Sequence, residues 1–258
     1  MAIELLTPTK AQVHRNADET GLRSEILTTI KAHAAGSARS MQKRIGPSQV
    51  GTPCHRRLAF EMSDLPGTRD LNDPWPSILG TAAHAWLADC FAAANPVYPN
   101  PPIWLLESRV DVGFGLRGSS DVFHVPTGCV VDWKVLGSTT YDKYTQCTKE
   151  SPTGSPSEEY RVQAHCYGMG FARAGYTVNR VAIAFFGRAK PLSALHIWSE
   201  PWRPEVALRA LDRMTKVEEY LGRGHHPNTL AAVPGGSCFF CSFRSANGGK
   251  DGYCAEAK

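Results

Sequence analysis

The stretch Arg117-Gly118-Ser119-Ser120-Asp121-Val122-Phe123-His124-Val125-Pro126-Thr127-Gly128-Cys129-Val130-Val131-Asp132-Trp133-Lys134 reads as two strands joined by a turn. Val and Phe dominate both halves, and Pro126-Thr127-Gly128 supplies the reversal. In the second half the two-residue pleat sends Asp132 and Lys134 to one face, Val131 and Trp133 to the other. A four-residue loop, Pro126 to Cys129, sets Asp121 opposite Lys134 and Phe123 opposite Asp132. Two carboxylates and a lysine then share one surface. A three-residue loop would turn Asp121 to the wrong face. Burying a carboxylate beside an ammonium group is costly, so the arrangement asks for a reason.

One reason is chemical. Two carboxylates a few ångströms apart repel unless a divalent cation lies between them, and hard oxygen ligands suit Mg²⁺ or Mn²⁺. An ion so held activates water and stabilises a pentacovalent phosphate, while the lysine orients the water or neutralises developing charge. The plainer alternative is a salt bridge on a solvated strand face, the commoner fate of any Asp-x-Lys. The rest of the chain has to choose between them.

At 258 residues the chain can bury a full core. A net charge of +4 permits a polyanionic partner without demanding one. No apolar run is long enough to span a bilayer, Val181 to Phe186 being among the longest, and the N-terminus lacks a basic-then-apolar signal. The expectation is an intracellular, cytoplasmic protein (host cytoplasm if viral) with no membrane partner. Its eight cysteines are then ligands and core residues rather than disulfides.

Residues 1–46 read as a polar helical extension, with helices around Lys10 to Thr20 and Ser24 to Ala34 and a basic end at Lys31, Arg39, Lys43 and Arg44. The core, 47–236, opens with Pro-Cys-His-Arg-Arg around Cys54, and Asp64 to Pro76 is a turn-rich loop. Ser77 to Ala94 is a helix with a broad apolar face of Ile78, Leu79, Ala82, Ala83, Trp86, Leu87 and Phe91. His84 lies inside it, where a lone histidine is ordinarily a satisfied core residue. Ile103 to Val112 is a strand containing Glu107. Gly137 to Pro156, rich in Ser, Thr, Lys and Gly, reads as a mobile loop. The helix from Glu159 to Ala174 puts Tyr160, Gln163 and Tyr167 on one face. Asn179 to Phe186 and Leu192 to Trp198 form a second hairpin, Arg203 to Gly222 an amphipathic helix, and His225-His226 a loop.

The tail, 237–258, holds Cys238-Phe239-Phe240-Cys241 and Cys254. Three clustered thiols want a soft metal, and Cys54 is the best fourth ligand. Cys90 and Cys166, in apolar helices, read as core, while Cys129 and Cys147 are weaker candidates. Four thiolates take zinc or a [4Fe–4S] cluster, and spacing does not separate them.

In this order the chain resembles the RecB-type branch of the PD-(D/E)XK nucleases, and more narrowly its iron–sulfur members: the AddB nuclease domain and small CRISPR-associated and viral exonucleases. Gly80-Thr81-Ala82-Ala83-His84 matches the family's helical histidine motif, Glu107 its strand acid, and Gly118-Ser119-Ser120-Asp121 its glycine-then-aspartate motif. Asp132-Trp133-Lys134 matches the acid-x-lysine motif, and Gln163-Ala164-His165-Cys166-Tyr167 the Gln-x-x-x-Tyr helix. The departure is in the tail, where Ser242 to Tyr253 intervene between cysteines that the family spaces more tightly.

The resemblance implies a single nuclease domain of α/β class. A central mixed sheet would be flanked by helices, and a four-cysteine cluster (Cys54, Cys238, Cys241, Cys254) would staple the C-terminus. It implies His84, Asp121, Asp132 and the Trp133 carbonyl as ligands of catalytic Mg²⁺ or Mn²⁺, with Glu107 close by. Lys134 would position the attacking water, and Gln163 and Tyr167 would line the cleft. The expected activity is metal-dependent DNA exonuclease on single strands or free ends, with Tyr141 and Trp202 available to stack on bases. The setting would be recombination, repair or CRISPR-type processing, with partners from recombination or CRISPR adaptation. The alternatives are a cluster-stapled DNA-binding module without catalysis and a zinc-stapled structural protein.

Overall fold

The computed structural model describes residues 15–35, 45–63, 65–67, 73–97, 100–148, 154–234, 238, 241–245, 250–251 and 253–255. The chain divides into two units, Met1–Gln42 and Lys43–Lys258. In the first, the two expected helices are one, α1 (Arg15–Ala35); Gly21 lies within it, since a single glycine costs a helix only about 1 kcal/mol. Residues 10–14 of the expected helix, and Arg39, Lys43 and Arg44 of the basic end, lie outside the described residues.

The second unit is built on a sheet of β1 (Trp104–Gly113), β2 (Leu116–His124), β3 (Cys129–Leu136), β4 (Arg180–Gly187) and β5 (His196–Pro201), in that spatial order. Only β3 and β4 run parallel. Parallel neighbours need a long crossover, supplied here by α5 (Ser138–Thr145) and α6 (Glu158–Arg173). The expected α/β class, a mixed sheet flanked by helices, is therefore what the fold displays.

Strand alternation assigns the two faces. Phe123, Val130, Ile183 and Phe185 bury against Ala164, Tyr167 and Phe171 of α6. Val122, Trp133 and Ala184, of opposite parity, pack against Leu87 and Phe91 of α4 (Trp75–Ala93). A second core joins Val162 and Cys166 of α6 to Val206, Leu211 and Met214 of α7 (Pro204–Gly222) and to Val50 of α2 (Pro47–Val50). Leu58 and Ala59 of α3 (His55–Met62) meet Val217 in a third. Among the described residues no helix is long and apolar enough to cross a membrane.

The structure corrects several sequence expectations. The β2–β3 loop is Val125–Gly128, not Pro126–Cys129, so His124 pairs with Cys129 and Val122 with Val131. A 3₁₀ turn over Val125–Thr127 ends at Gly128, φ +62°, where a Cβ would sit 2.4 Å from the Thr177 carbonyl oxygen. Glycine must therefore lie in the turn, and Cys129 already belongs to the strand. The register moves by two, which preserves the face and sets Asp121 across from Asp132 instead of Lys134.

Part of the expected loop Gly137–Pro156 is helix α5. Its anchor is Tyr141, which is buried and whose hydroxyl donates to the Ala194 carbonyl. Trp202 donates Nε1–H to the His165 carbonyl at 3.3 Å and packs on the main core. The Tyr141 ring is therefore not free to stack on a base, while Trp202 is partly buried. Leu192–Ala194 is a 3₁₀ turn after Pro191, so β5 starts only at His196.

Cys90 is exposed, unlike Cys166. The apolar positions of α4 wrap more than one side: at about 100° per residue, Leu87, Phe91 and His84 fall within one sector of about 60°. That sector turns to the sheet, while Trp86, on the opposite side, is 65% exposed. The two loop histidines serve locally, His226 accepting the Asn228 N–H and His225 stacking on Tyr220.

Candidate metal centre and active site

Past Val122 and Val131, β2 and β3 no longer pair, while β3 stays paired with β4 to Leu136. At this divergence stands Asp121. Its Oδ2 accepts the Trp133 backbone N–H at 2.7 Å, taking the place of a ladder partner, and its Oδ1 lies 3.2 Å from His84 Nδ1. Glu107 falls between the pairs Leu106–Val122 and Ser108–Ser120, across from Asp121. Its φ of +43° is rare for a residue with a side chain and marks a constrained position in an otherwise extended strand. Ligand atoms of His84, Glu107 and Asp121 all lie within 4.8 Å of one another, and no other described trio of His, Cys, Asp or Glu comes so close.

The electrostatics are those of crowded acids. Burial alone would lower His84, but the hydrogen bond and charge of Asp121 outweigh it and hold the imidazole above its ordinary value. Partial burial, then the Asp121 charge, raise Glu107. Asp132, 1% exposed, is pushed up to about 6 by burial, with Lys134 opposing. Asp132 and Lys134 lie on the α6 face, as their alternation requires. Lys134 Nζ forms an ion pair with Asp132 Oδ2 at 2.6 Å. An imidazole nitrogen and two carboxylates within 4.8 Å of one another are a donor set that fits a hard divalent cation.

Helix α6 completes the surroundings of the lysine. Lys134 Nζ donates to Gln163 Oε1 at 3.1 Å, and Gln163 Nε2 donates to the Tyr167 hydroxyl at 3.1 Å. The Tyr160 ring lies 4.8 Å from Nζ, a cation–π contact. Burial pushes the Tyr160 hydroxyl up to about 12, so it stays protonated near neutrality. Sequence reasoning placed Tyr160 on this face but gave it no role. Trp133 presents its indole to the other side, edge-on to His84 at 6.1 Å. Gly118 opens the motif for a steric reason: a Cβ there would meet Pro47 Cδ at 2.8 Å and Tyr167 Cε1 at 3.2 Å.

Away from this centre, Cys54, Cys238, Cys241 and Cys254 line one cavity of about 20 Å³ together with Arg56, Arg57 and Arg244. Cys54 caps α3, its sulfur accepting the N–H groups of Arg57 and Val233 at 3.4 Å each, and Arg56 donates to Cys254 Sγ at 3.4 Å. The intervening segment of the tail leaves and returns, since Ser245 N–H reaches the Cys254 carbonyl at 2.8 Å and Arg244 bridges Cys254. Phe243 and Tyr253 stack on buried Phe60 at 5.0 and 5.5 Å. Phe239, Phe240 and residues 246–249 lie outside the described residues. Four thiols thus line one space, with N–H donors at the sulfurs of Cys54 and Cys254.

No family model matches the sequence, and no curated protein does. Solved structures to which it is similar include a phage-related exonuclease from Haemophilus somnus 129PT, at 12% identity over 66% of this chain and 79% of that one, TM-score 0.43. Another is the alkaline exonuclease LHK-Exo from Laribacter hongkongensis, at 15% identity over 69% and 94%, TM-score 0.39. The same enzyme in complex with dAMP gives 14% identity over 70% and 93%, TM-score 0.44. The structural neighbours are thus phage-related and alkaline exonucleases, but likenesses this shallow add no weight to the chemistry, which rests on the residues and their geometry.

Proposed function

We propose that the protein is a divalent-metal-dependent deoxyribonuclease of the PD-(D/E)XK type, an exonuclease acting on single strands or free ends. The observation that carries this reading is the convergence of His84, Glu107 and Asp121 within 4.8 Å, next to a buried Asp132–Lys134 pair. His84, Glu107 and Asp121 would hold Mg²⁺ or Mn²⁺, with Asp132 beside them. When bound, the ion supplies Lewis-acid polarisation of a phosphate oxygen and an acidified water. Lys134, paired with Asp132, would direct its N–H groups at the water and at charge developing on the phosphate. Gln163 and the Tyr160 ring fix the ammonium group, and Tyr167 fixes Gln163. The DNA substrate rests on the order of the sequence motifs.

The four-thiol cavity would hold a [4Fe–4S] cluster, with structural zinc as the alternative. Tetrahedral zinc at a Zn–S length of about 2.3 Å sets its sulfurs roughly 3.8 Å apart. Among the described residues no three thiols lie within 4.8 Å of one another, which favours the larger group. Iron would give a brown protein with broad visible absorption; a colourless protein carrying zinc would decide for the alternative.

The test is digestion of end-labelled single- and double-stranded DNA with Mg²⁺, Mn²⁺ or EDTA. Nucleotide release with either metal, abolished by EDTA, is expected. No cleavage with either metal, or cleavage indifferent to EDTA, would overturn the reading.

A further inference from the structure

Arg57 stands between the thiol cavity and the surroundings of Lys134. It lines the cavity with the four cysteines, and its backbone N–H donates to Cys54 Sγ. The guanidinium also reaches away from the thiols. Nε donates to Glu61 Oε1 at 2.8 Å and Nη1 to Glu159 Oε1 at 3.1 Å. Glu159 belongs to the first turn of α6. The next residue, Tyr160, lies against Lys134 Nζ, and one turn further Gln163 accepts its hydrogen bond.

Glu61 and Glu159 would repel each other without Arg57, and Glu61 Oε2 is buried with no other partner. A centre of four thiolates is net negative with zinc or with a [4Fe–4S] cluster. Arg57, which lines the cavity, would then be shared between that negative charge and the Glu159 carboxylate in the first turn of α6. We infer that Arg57 is a positioning residue, tying the first turn of α6 to the thiol cavity so that the state of the four thiols sets where Tyr160 and Gln163 hold Lys134. The catalytic importance of Lys134 rests on the nuclease reading; the coupling itself does not.

The test uses the full chain as purified. Acetylation of Lys134 by acetic anhydride is timed by mass spectrometry in the natural protein, Arg57→Gln, Arg57→Lys and Glu159→Gln. Each is measured before and after a chelator strips the thiol-bound metal and excess Mg²⁺ is restored. Arg57→Gln and Glu159→Gln should each speed Lys134 labelling several-fold, with exposed Lys216 unchanged. Stripping should speed it in the natural protein and add little in Arg57→Gln. Arg57→Lys, which keeps the charge, should recover part of the protection. On DNA, the same variants should lose kcat with KM held.

Unchanged Lys134 labelling in Arg57→Gln, an equal response to stripping in both proteins, or a protein that purifies with no thiol-bound metal would overturn the coupling. If Arg57→Gln does not fold, Glu159→Gln, which leaves the cavity wall intact, cuts the same tie from the α6 side and decides in its place. A protein that follows the labelling pattern but leaves DNA uncut would keep the coupling and reject the nuclease.

Discussion

Each polar group of the site has a distinct neighbour, so single substitutions can be read separately. Lys134→Ala removes the cation held by Asp132, Gln163 and Tyr160. Cleavage should fall by about 10²–10⁴-fold, the range for losing a positioned catalytic group, with DNA affinity nearly unchanged. Single-turnover assays beside a binding titration measure both; a variant that cuts at the natural rate would remove Lys134 from the chemistry. Asp121 needs more care. Asn at this position keeps an acceptor for the Trp133 N–H and tests the metal role, whereas Ala also leaves that buried N–H unpaired.

At the scale of elements, glycine choices carry the clearest expectation. Gly118→Ala drives a methyl into Pro47 and Tyr167 and should cost about 1–3 kcal/mol, as overpacking does. Denaturant midpoints would show it; an unchanged midpoint would mean that α2 yields freely. The juxtaposition of the candidate residues was legible because their motifs are local: Asp-x-Lys fixes a face, and Gln163 and Tyr167 share a helical stripe. It hid what depends on distant partners. The β2–β3 register turned on which residue, Gly128 or Cys129, ended the turn, and that follows from the Thr177 carbonyl about fifty positions later. Helix α5 was hidden because Tyr141 finds its burial against segments beyond α6. His84 was ambiguous until the Leu87–Phe91 sector of α4 was known to face the sheet.

For the molecule as a whole, the join between α6 and β5 predicts an acid weakness. Burial, with the nearby charges of Arg161 and Arg203, lowers His165 even though Glu200 opposes it. Burial would raise Glu200, but hydrogen bonds from His165 and Arg161 and their charge outweigh it and lower the carboxyl. A histidine depressed in the folded state is protonated more readily once unfolded, so this join should lose stability as pH drops below the ordinary histidine value of 6.5, against the opposite contributions of His84, Glu107 and Asp132, whose raised values favour the folded state as pH falls. Glu200 adds a second loss below the ordinary glutamate value of 4.5, as pH falls through its depressed folded value. The difference in thermal midpoint between the natural protein and Glu200→Gln, followed from pH 8 to pH 4, measures this join, and a difference that does not change with pH would deny the linkage. Cys238→Ala, which removes one wall of the thiol cavity, should lower the melting temperature and lose any bound metal. A variant of full stability and metal content would show the tail to be held by the Phe60 stack alone.

The thiol cavity also has a consequence for how the chain is made. Arg56 bonds the sulfur of Cys254, 198 positions further along, so the first wall leaves the ribosome long before the last. At about 5–20 residues per second the wait is roughly 10–40 s. For most of that interval, until Cys238 is made, the nascent chain holds one of the four thiols, and Phe60 has neither of the rings that will cover it. Completion of the cavity thus reports that translation has passed Cys254, and a product stalled before it would remain unsealed, open to proteases and chaperones.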